Sequence, residues 1–340
     1  MNRILFRADA DGQLGMGHVM RCLALADMLD DQHDRYLAIV TPAPSVRALI
    51  EKAGLTVIEL PATGTGPAFL DQLTEHDDVV LDGYTFSKPF QRAIRARAGR
   101  LFLIDDLLDG HQVAQTIINH AGGISPDDYD ADPETHFCLG PHYALLRPAF
   151  LQARGYGETP AEGPFFVSMG GADVHNVSLT VLQAIQQLDA SQAVQVVLGP
   201  FHPGRPLIEA FREQLPNLTI LQNLSADDMA DQLQACSLAI TACSTIAYEV
   251  CAINRPLIGI MTADNQDRLA RFLSDEKLAL SVHFPHQLSR MTPSVSLETM
   301  LKLAIQAAQF SPETVEASLA SQRRYFDGQS PDRFRALFAR

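Results

Sequence analysis

The chain has little that is basic, little that could cross-link it and nothing that reads as a metal site or a membrane span. Its 340 residues carry 26 Lys and Arg against 40 Asp and Glu, a formal net charge of −14. That argues against a nucleic-acid surface, which would be basic, and no nucleic-acid partner is expected. An anionic small ligand would have to find local positive charge, at particular arginines or helix amino termini. The cysteines Cys22, Cys138, Cys236, Cys243 and Cys251 are odd in number, and none forms C-x-x-C. That argues against a disulfide framework and for reduced, mostly buried thiols in a cytoplasmic protein. No apolar run is long enough to span a bilayer. The amino end runs directly into a strand, and Asp9 and Asp11 break any signal-peptide pattern. H-E-x-x-H is absent, and His111, His120, His136 and His142 lack ligand spacing. The acidic run Asp127, Asp128, Asp130, Asp132 lacks the glycine and terminal glutamate of an EF-hand loop. No metal and no cofactor are therefore expected. G-x-S-x-G is also missing, which argues against a serine-hydrolase elbow.

What is present is a folded α/β pattern. Hydrophobic residues make up 46% of the chain, and its length favours two domains. Strands are expected at residues 4–7, 36–40, 57–60, 78–82 and 100–105, with helices at 19–29, 45–53, 69–75 and 89–98. The pattern loosens over 110–142. Gly155 to Pro164 reads as a linker. Alternation then resumes, with strands at 165–168, 193–198, 218–221, 238–241, 256–260 and 279–282 and helices such as 177–188, 227–235 and 245–252. Continuous apolar strands between amphipathic helices indicate parallel sheets covered on both faces. The expected fold is two Rossmann-like domains, residues 1–155 and 156–340, facing across a cleft, with ligands at the carboxyl ends of strands. Residues 296–340 read as carboxyl-terminal helices of the second domain, and Arg323, Arg324, Arg333 and Arg335 as a solvated face.

Gly15-Met16-Gly17-His18 joins the first strand to its helix. Glycines there let backbone N–H groups approach an anion, the helix end adds partial positive charge, and histidine can move protons near neutral pH. The same tetrapeptide also serves as a plain strand-to-helix turn. Arg21, three residues on, shares the helical face of His18 and suits a diphosphate. Asp9 and Asp11 either orient the His18 ring, contact a sugar hydroxyl or are ordinary loop residues.

The second half repeats this logic. Ser168-Met169-Gly170-Gly171-Ala172-Asp173 follows the strand that opens the second domain, and Asn176 is placed to cap the next helix. Gly170 and Gly171 admit a ligand or form only a tight turn. Thr241-Ala242-Cys243-Ser244-Thr245 leaves a helix amino terminus open to phosphate, and Glu249 lies one turn past Thr245, where a carboxylate could hold both ribose hydroxyls. An N-capped helix with a surface glutamate is the alternative. Asn265 and Gln266 begin the next helix, as sugar contacts or caps. Asp82 with Tyr84, and Asp105 with Asp106, stand at strand ends on the same expected edge.

As a set, these segments resemble the UDP-2,4-diacetamido-2,4,6-trideoxy-β-L-altropyranose hydrolase family of pseudaminic acid biosynthesis. The matching pieces are Phe6-Arg7-Ala8-Asp9 through Gly15-Met16-Gly17-His18-Val19-Met20-Arg21, then Tyr143-Ala144-Leu145-Leu146-Arg147, Met169 to Asp173 with Asn176, Ser244-Thr245 with Glu249, and Asn265-Gln266. They run in order from residue 3 to about residue 270. The resemblance implies a glycosyltransferase-B-like fold and removal of UDP from a UDP-sugar. Its product would feed a nonulosonic acid of cell-surface glycans such as flagellin. It implies that His18 is the general base on water and that Ser244, Thr245 and Glu249 bind the nucleotide. Arg147 and Asn265 would touch substrate, and Asp82 and Tyr84 would line the sugar side. The chain departs from the family at Leu107-Leu108-Asp109-Gly110, at Asn119 to Gly123 and beyond residue 285, which bears on the identity of the sugar. A sugar-transferring enzyme on the same scaffold and a non-catalytic nucleotide-sugar binding protein are the competing readings.

Overall fold

A computed structural model describes residues 2–10, 16–29, 33–153, 159–160, 162–170, 173, 175–199, 202–284 and 296–339. The chain divides into two compact units, residues 1–148 with 329–340, and residues 149–328.

The first unit runs β1 (Asn2–Arg7), α1 (Gly17–Met28), β2 (His33–Val40), α2 (Pro44–Lys52), β3 (Thr56–Leu60), α3 (Thr65–Leu70), β4 (Asp78–Asp82), α4 (Lys88–Arg95), β5 (Arg100–Ile104), β6 (Thr116–Asn119) and β7 (His136–Leu139). All seven strands pair in parallel, in the order β3-β2-β1-β4-β5-β6-β7. Helices on the sheet faces leave β4 wholly buried, so its interior reads Val79-Val80-Leu81 without alternation. Strand order reverses between β1 and β4, and ligands of such sheets bind at the carboxyl edge of a switch point.

β6 and β7 have no counterpart among the expected strands, because each is only four residues long and begins on a polar residue, Thr116 or His136. The helix expected at 69–75 lies instead at Thr65–Leu70. The Asp77 carboxylate accepts the Thr74 N–H at 2.6 Å and turns the chain there.

The second unit begins with α5 (Pro148–Gln152), which straddles the boundary. It continues through β8 (Phe165–Ser168), α6 (Val177–Leu188), β9 (Val194–Leu198), α7 (Arg205–Phe211), β10 (Leu218–Gln222), α8 (Ala226–Ala235), β11 (Leu238–Ala242), α9 (Thr245–Ile253), β12 (Leu257–Ile260), α10 (Asp267–Asp275), β13 (Ser281–His283), α11 (Leu297–Phe310) and α12 (Pro312–Tyr325). Its six parallel strands are ordered β10-β9-β8-β11-β12-β13, with the switch point between β8 and β11. Val167, Val196, Ile240 and Ile258 on the sheet pack with Val181, Leu182 and Ile305 on α6 and α11 in one core. Each unit is Rossmann-like. Half of the expected linker Gly155 to Pro164, residues 155–158 and 161, lies outside the described residues.

The last helix, α13 (Ser330–Phe338), belongs to the first unit. The expected second domain, residues 156–340, therefore loses residues 329–340 to the first unit. Phe338 stacks on Phe102 at 4.4 Å between ring centroids, and Phe334 meets Tyr143 edge-on at 5.6 Å. Arg100 grips Asp78 through Nε and Nη2 at 2.8 and 2.6 Å and donates to the Leu337 and Phe338 carbonyls, closing the carboxyl end of α13. Periodicity shows that this helix has an apolar face but not which sheet receives it.

Candidate active site

The first switch point gathers a charged cluster. His18 is the second residue of α1, directly behind β1, and Asp82 is the last residue of β4, the strand beside β1. Strand adjacency alone brings these residues together from 64 positions apart, with His18 Nδ1 2.7 Å from Asp82 Oδ1. Asp82 is fully buried and His18 is 5% exposed. A carboxylate can only accept, so the ring proton is assigned to Nδ1, leaving Nε2 as the basic nitrogen. Arg21 Nη2 also lies 2.8 Å from His18 Nδ1, but both are donors in that tautomer. We therefore read that approach as proximity around the shared Asp82 oxygen. The Tyr84 ring meets the His18 ring edge-on at 4.6 Å, and its hydroxyl donates to Asp106 at 3.1 Å.

Arg21 is enclosed by carboxylates. Its Nε and Nη2 donate to Asp82 at 2.8 and 2.6 Å, and its Nη1 donates to Asp106 at 2.6 Å. Burial opposes the guanidinium charge, but the attraction and hydrogen bonds of Asp82 and Asp106 outweigh it, so the proton is held more tightly than in a free arginine. All three guanidinium nitrogens of Arg21 are thus engaged by Asp82 and Asp106. The Tyr84 hydroxyl is pushed above its usual range, by burial first and then by the charge of Asp106.

Sequence reasoning missed His120, which follows the unforeseen strand β6. Its Nδ1 accepts the Leu145 N–H at 3.2 Å, which puts the ring proton on Nε2. Burial, with Arg21 adding to it and Asp106 opposing, brings its pKa down to about 4. The apolar run Ile117-Ile118 ending in Asn119-His120 was the signal available.

Other expected residues fall elsewhere. Asp9 does not orient His18. Its two carboxylate oxygens each accept from Arg7 at 2.7 Å, and Oδ1 also takes the Val40 N–H at 3.2 Å. It is the counter-ion of a buried arginine. Gly17 is exposed, and a methyl group built on it meets nothing within 4 Å. Arg147 is half-buried between β7 and α5. Gly15, Asp11 and Gly171 lie outside the described residues.

In the second unit, the two glycine or small-residue turns differ. Gly170 has φ +83°, a conformation that favours glycine. Beyond it, Asp173 accepts the Val177 and Ser178 N–H groups, each at 2.8 Å, and faces His202 Nε2 at 3.2 Å. The amino end of α6 is therefore closed by a buried carboxylate. Asn176, the expected cap, has φ +51° and makes no side-chain cap bond. Among the described residues, no side chain caps the amino end of α9 in this way. Ser244 stands at its N-cap without a side-chain cap bond, and Thr245 opens the helix. Glu249, on the same helix, is buried. Gln266 accepts the Thr262 N–H at 2.8 Å and its hydroxyl at 3.2 Å, pinning the turn after β12, while Asn265 is exposed in the 3-10 turn Asp264–Gln266. The second unit also has a cavity of about 1400 Å³ around Phe165, Leu238 and Pro256, at the amino edge of the strands and so away from α9's start. Among the described residues, no group of three or more His, Cys, Asp or Glu is placed to hold a metal, and no helix is long and apolar enough to cross a membrane. All five cysteines are free and buried.

No family model matches the chain. It is 23% identical over 277 residues to UDP-2,4-diacetamido-2,4,6-trideoxy-beta-L-altropyranose hydrolase of Campylobacter jejuni, an alignment covering 80% of this chain and 96% of that protein. It is 23% identical over 282 residues to the spore coat polysaccharide biosynthesis protein SpsG of Bacillus subtilis, covering 81% and 82%. Among solved structures, Acinetobacter baumannii MurG superposes with a TM-score of 0.65 at 14% identity, covering 99% of each chain. The chain is therefore a protein of glycosyltransferase-B-like fold, distantly related to a UDP-sugar hydrolase.

Proposed function

We propose that the protein is a UDP-sugar hydrolase that removes UDP from UDP-2,4-diacetamido-2,4,6-trideoxy-β-L-altrose or a close relative, in the synthesis of a nonulosonic acid for cell-surface glycans. The observation that carries this reading is the buried Asp82–His18 pair at the switch point of the first sheet. Asp82 holds the ring in the tautomer whose Nε2 accepts a proton. Water attacks the anomeric carbon, His18 Nε2 takes a proton from it, and the bond from the anomeric carbon to the UDP oxygen breaks. The free sugar and UDP are the products. Ser244, Thr245 and the start of α9 would bind the diphosphate, and Glu249 the ribose. The open start of α9, contrasted with the plugged start of α6, supports that choice of helix. Gly17, Tyr84, Arg147, Gly170, Asn265 and Gln266 are proposed substrate contacts, and the protein is taken to work in the cytoplasm.

The test is UDP release from a panel of UDP-N-acetylated dideoxy and trideoxy sugars without acceptor. Release with free sugar from the altrose donor, reduced roughly 10²–10⁴-fold by His18→Ala, is the expected result. Tight UDP binding with no release from any donor would overturn the hydrolase and leave a transferase or a binding protein.

A further inference from the structure

Arg21 has a bearing on catalysis that its place in the motif does not suggest. Its guanidinium is bonded through Nε and both terminal nitrogens to protein carboxylates, and its side chain is 17% exposed. Asp82, wholly buried, shares one oxygen between His18 Nδ1 and Arg21 Nη2. A buried carboxylate whose sole cationic partner is an imidazole favours the protonated ring. A protonated ring cannot take a proton from water. A guanidinium on the same carboxylate supplies permanent positive charge, and the ring need not provide it.

We propose that Arg21 is a positioning residue and not a diphosphate ligand: by balancing the charge of Asp82 it lowers the proton affinity of the His18 ring below what Asp82 alone would impose, while Asp106, on the far side of the guanidinium, tempers that effect. The catalytic consequence rests on the proposed role of His18 as base, but the protonation itself does not. The charges add up accordingly. With the ring neutral, Asp82, Asp106 and Arg21 leave one net negative charge, and Asp106, 32% exposed, can share it with water.

The other titratable groups around His18 fit this arrangement. From α1, Cys22 is buried, and burial with the nearby Asp82 keeps its thiol neutral. From β1, Arg7 is matched by Asp9. From the turn after β4, Tyr84 bonds Asp106, and from the end of β6, His120 is held neutral. On α13, packed against α1, Arg333 donates to the His142 carbonyl and Arg335 pairs with Asp332.

The experiment is a titration of the His18 ring in the full chain by ¹⁵N-histidine NMR, assigned with His18→Gln. It compares wild type with Arg21→Gln, Arg21→Lys and Asp106→Asn. The midpoint should rise by about one pH unit or more in Arg21→Gln, a tenfold gain in proton affinity, and return toward wild type in Arg21→Lys. In Asp106→Asn it should fall. Opposite signs from two neighbouring substitutions are not produced by a general loosening of the fold. An unmoved midpoint in a folded Arg21→Gln, or shifts of the same sign in both variants, would overturn the proposal. If Arg21→Gln does not fold, Asp106→Asn decides alone: a lower midpoint supports the proposal, and an unchanged or higher one overturns it. No substrate is needed. Expected shifts without any UDP release would thus count against the hydrolase reading alone.

Discussion

Asp82 Oδ1 lies 2.7 Å from His18 Nδ1, and the contact joins the end of β4 to the start of α1. Replacing Asp82 with Asn keeps the shape but removes the charge, and an amide can present its N–H₂ to Nδ1 and reverse the tautomer. Asp82→Asn should lower kcat for UDP release by roughly 10²–10⁴-fold with little change in KM. Unaltered kcat would sink the orienting role.

Gly17 separates a structural turn from a ligand site. The space beside it is open, and alanine is the better helix former. Gly17→Ala should leave stability unchanged or raise it by up to about 1 kcal/mol, while lowering kcat/KM. Thermal melting and UDP release read the two effects separately. A variant as active as wild type would reduce the glycine to a turn residue.

Asp173 gives the complementary prediction. It caps two N–H groups of α6 and faces buried His202, so it serves the fold. Asp173→Ala should cost about 2–4 kcal/mol in urea unfolding, from the lost cap and the stranded polar groups. If the α9 assignment is right, UDP affinity measured well below the unfolding transition should change less than threefold.

Two histidines couple stability to pH. Burial, joined for His120 by Arg21, brings His120 and His283 from an ordinary 6.5 to about 4. The folded state disfavours the charged ring. The unfolded chain therefore binds more protons between these values, and stability falls as pH drops from about 6.5 to 4. Each ring contributes up to about 1.4 kcal/mol per pH unit within that window and nothing above it. Urea titrations from pH 7.5 to 4.5 should show the slope, and His283→Leu should reduce it by about one proton. A slope identical to wild type would refute the assignment for His283.

The alternation of apolar strands and helices, hence two parallel α/β units, is legible in the chain itself, because burial on both sheet faces imposes unbroken apolar runs such as Val79-Val80-Leu81. The sequence also shows that His18, Ser244 and Thr245 stand where a strand gives way to a helix, since such junctions need no long-range information to be recognised. Short strands with polar starts, such as Thr116–Asn119, escaped it, and His120 with them. Which residues meet is a matter of the folded arrangement. Asp82 reaches His18 because β4 lies beside β1, Arg21 is taken up by Asp82 and Asp106, Asp9 is claimed by Arg7, and Asp173 closes α6 in place of Asn176. α13 joins the first sheet through Arg100 and Phe338. Local periodicity tells each element which face to bury. The partner for each polar group is set by strand order and by competition among charges, and neither is written in any one stretch of sequence.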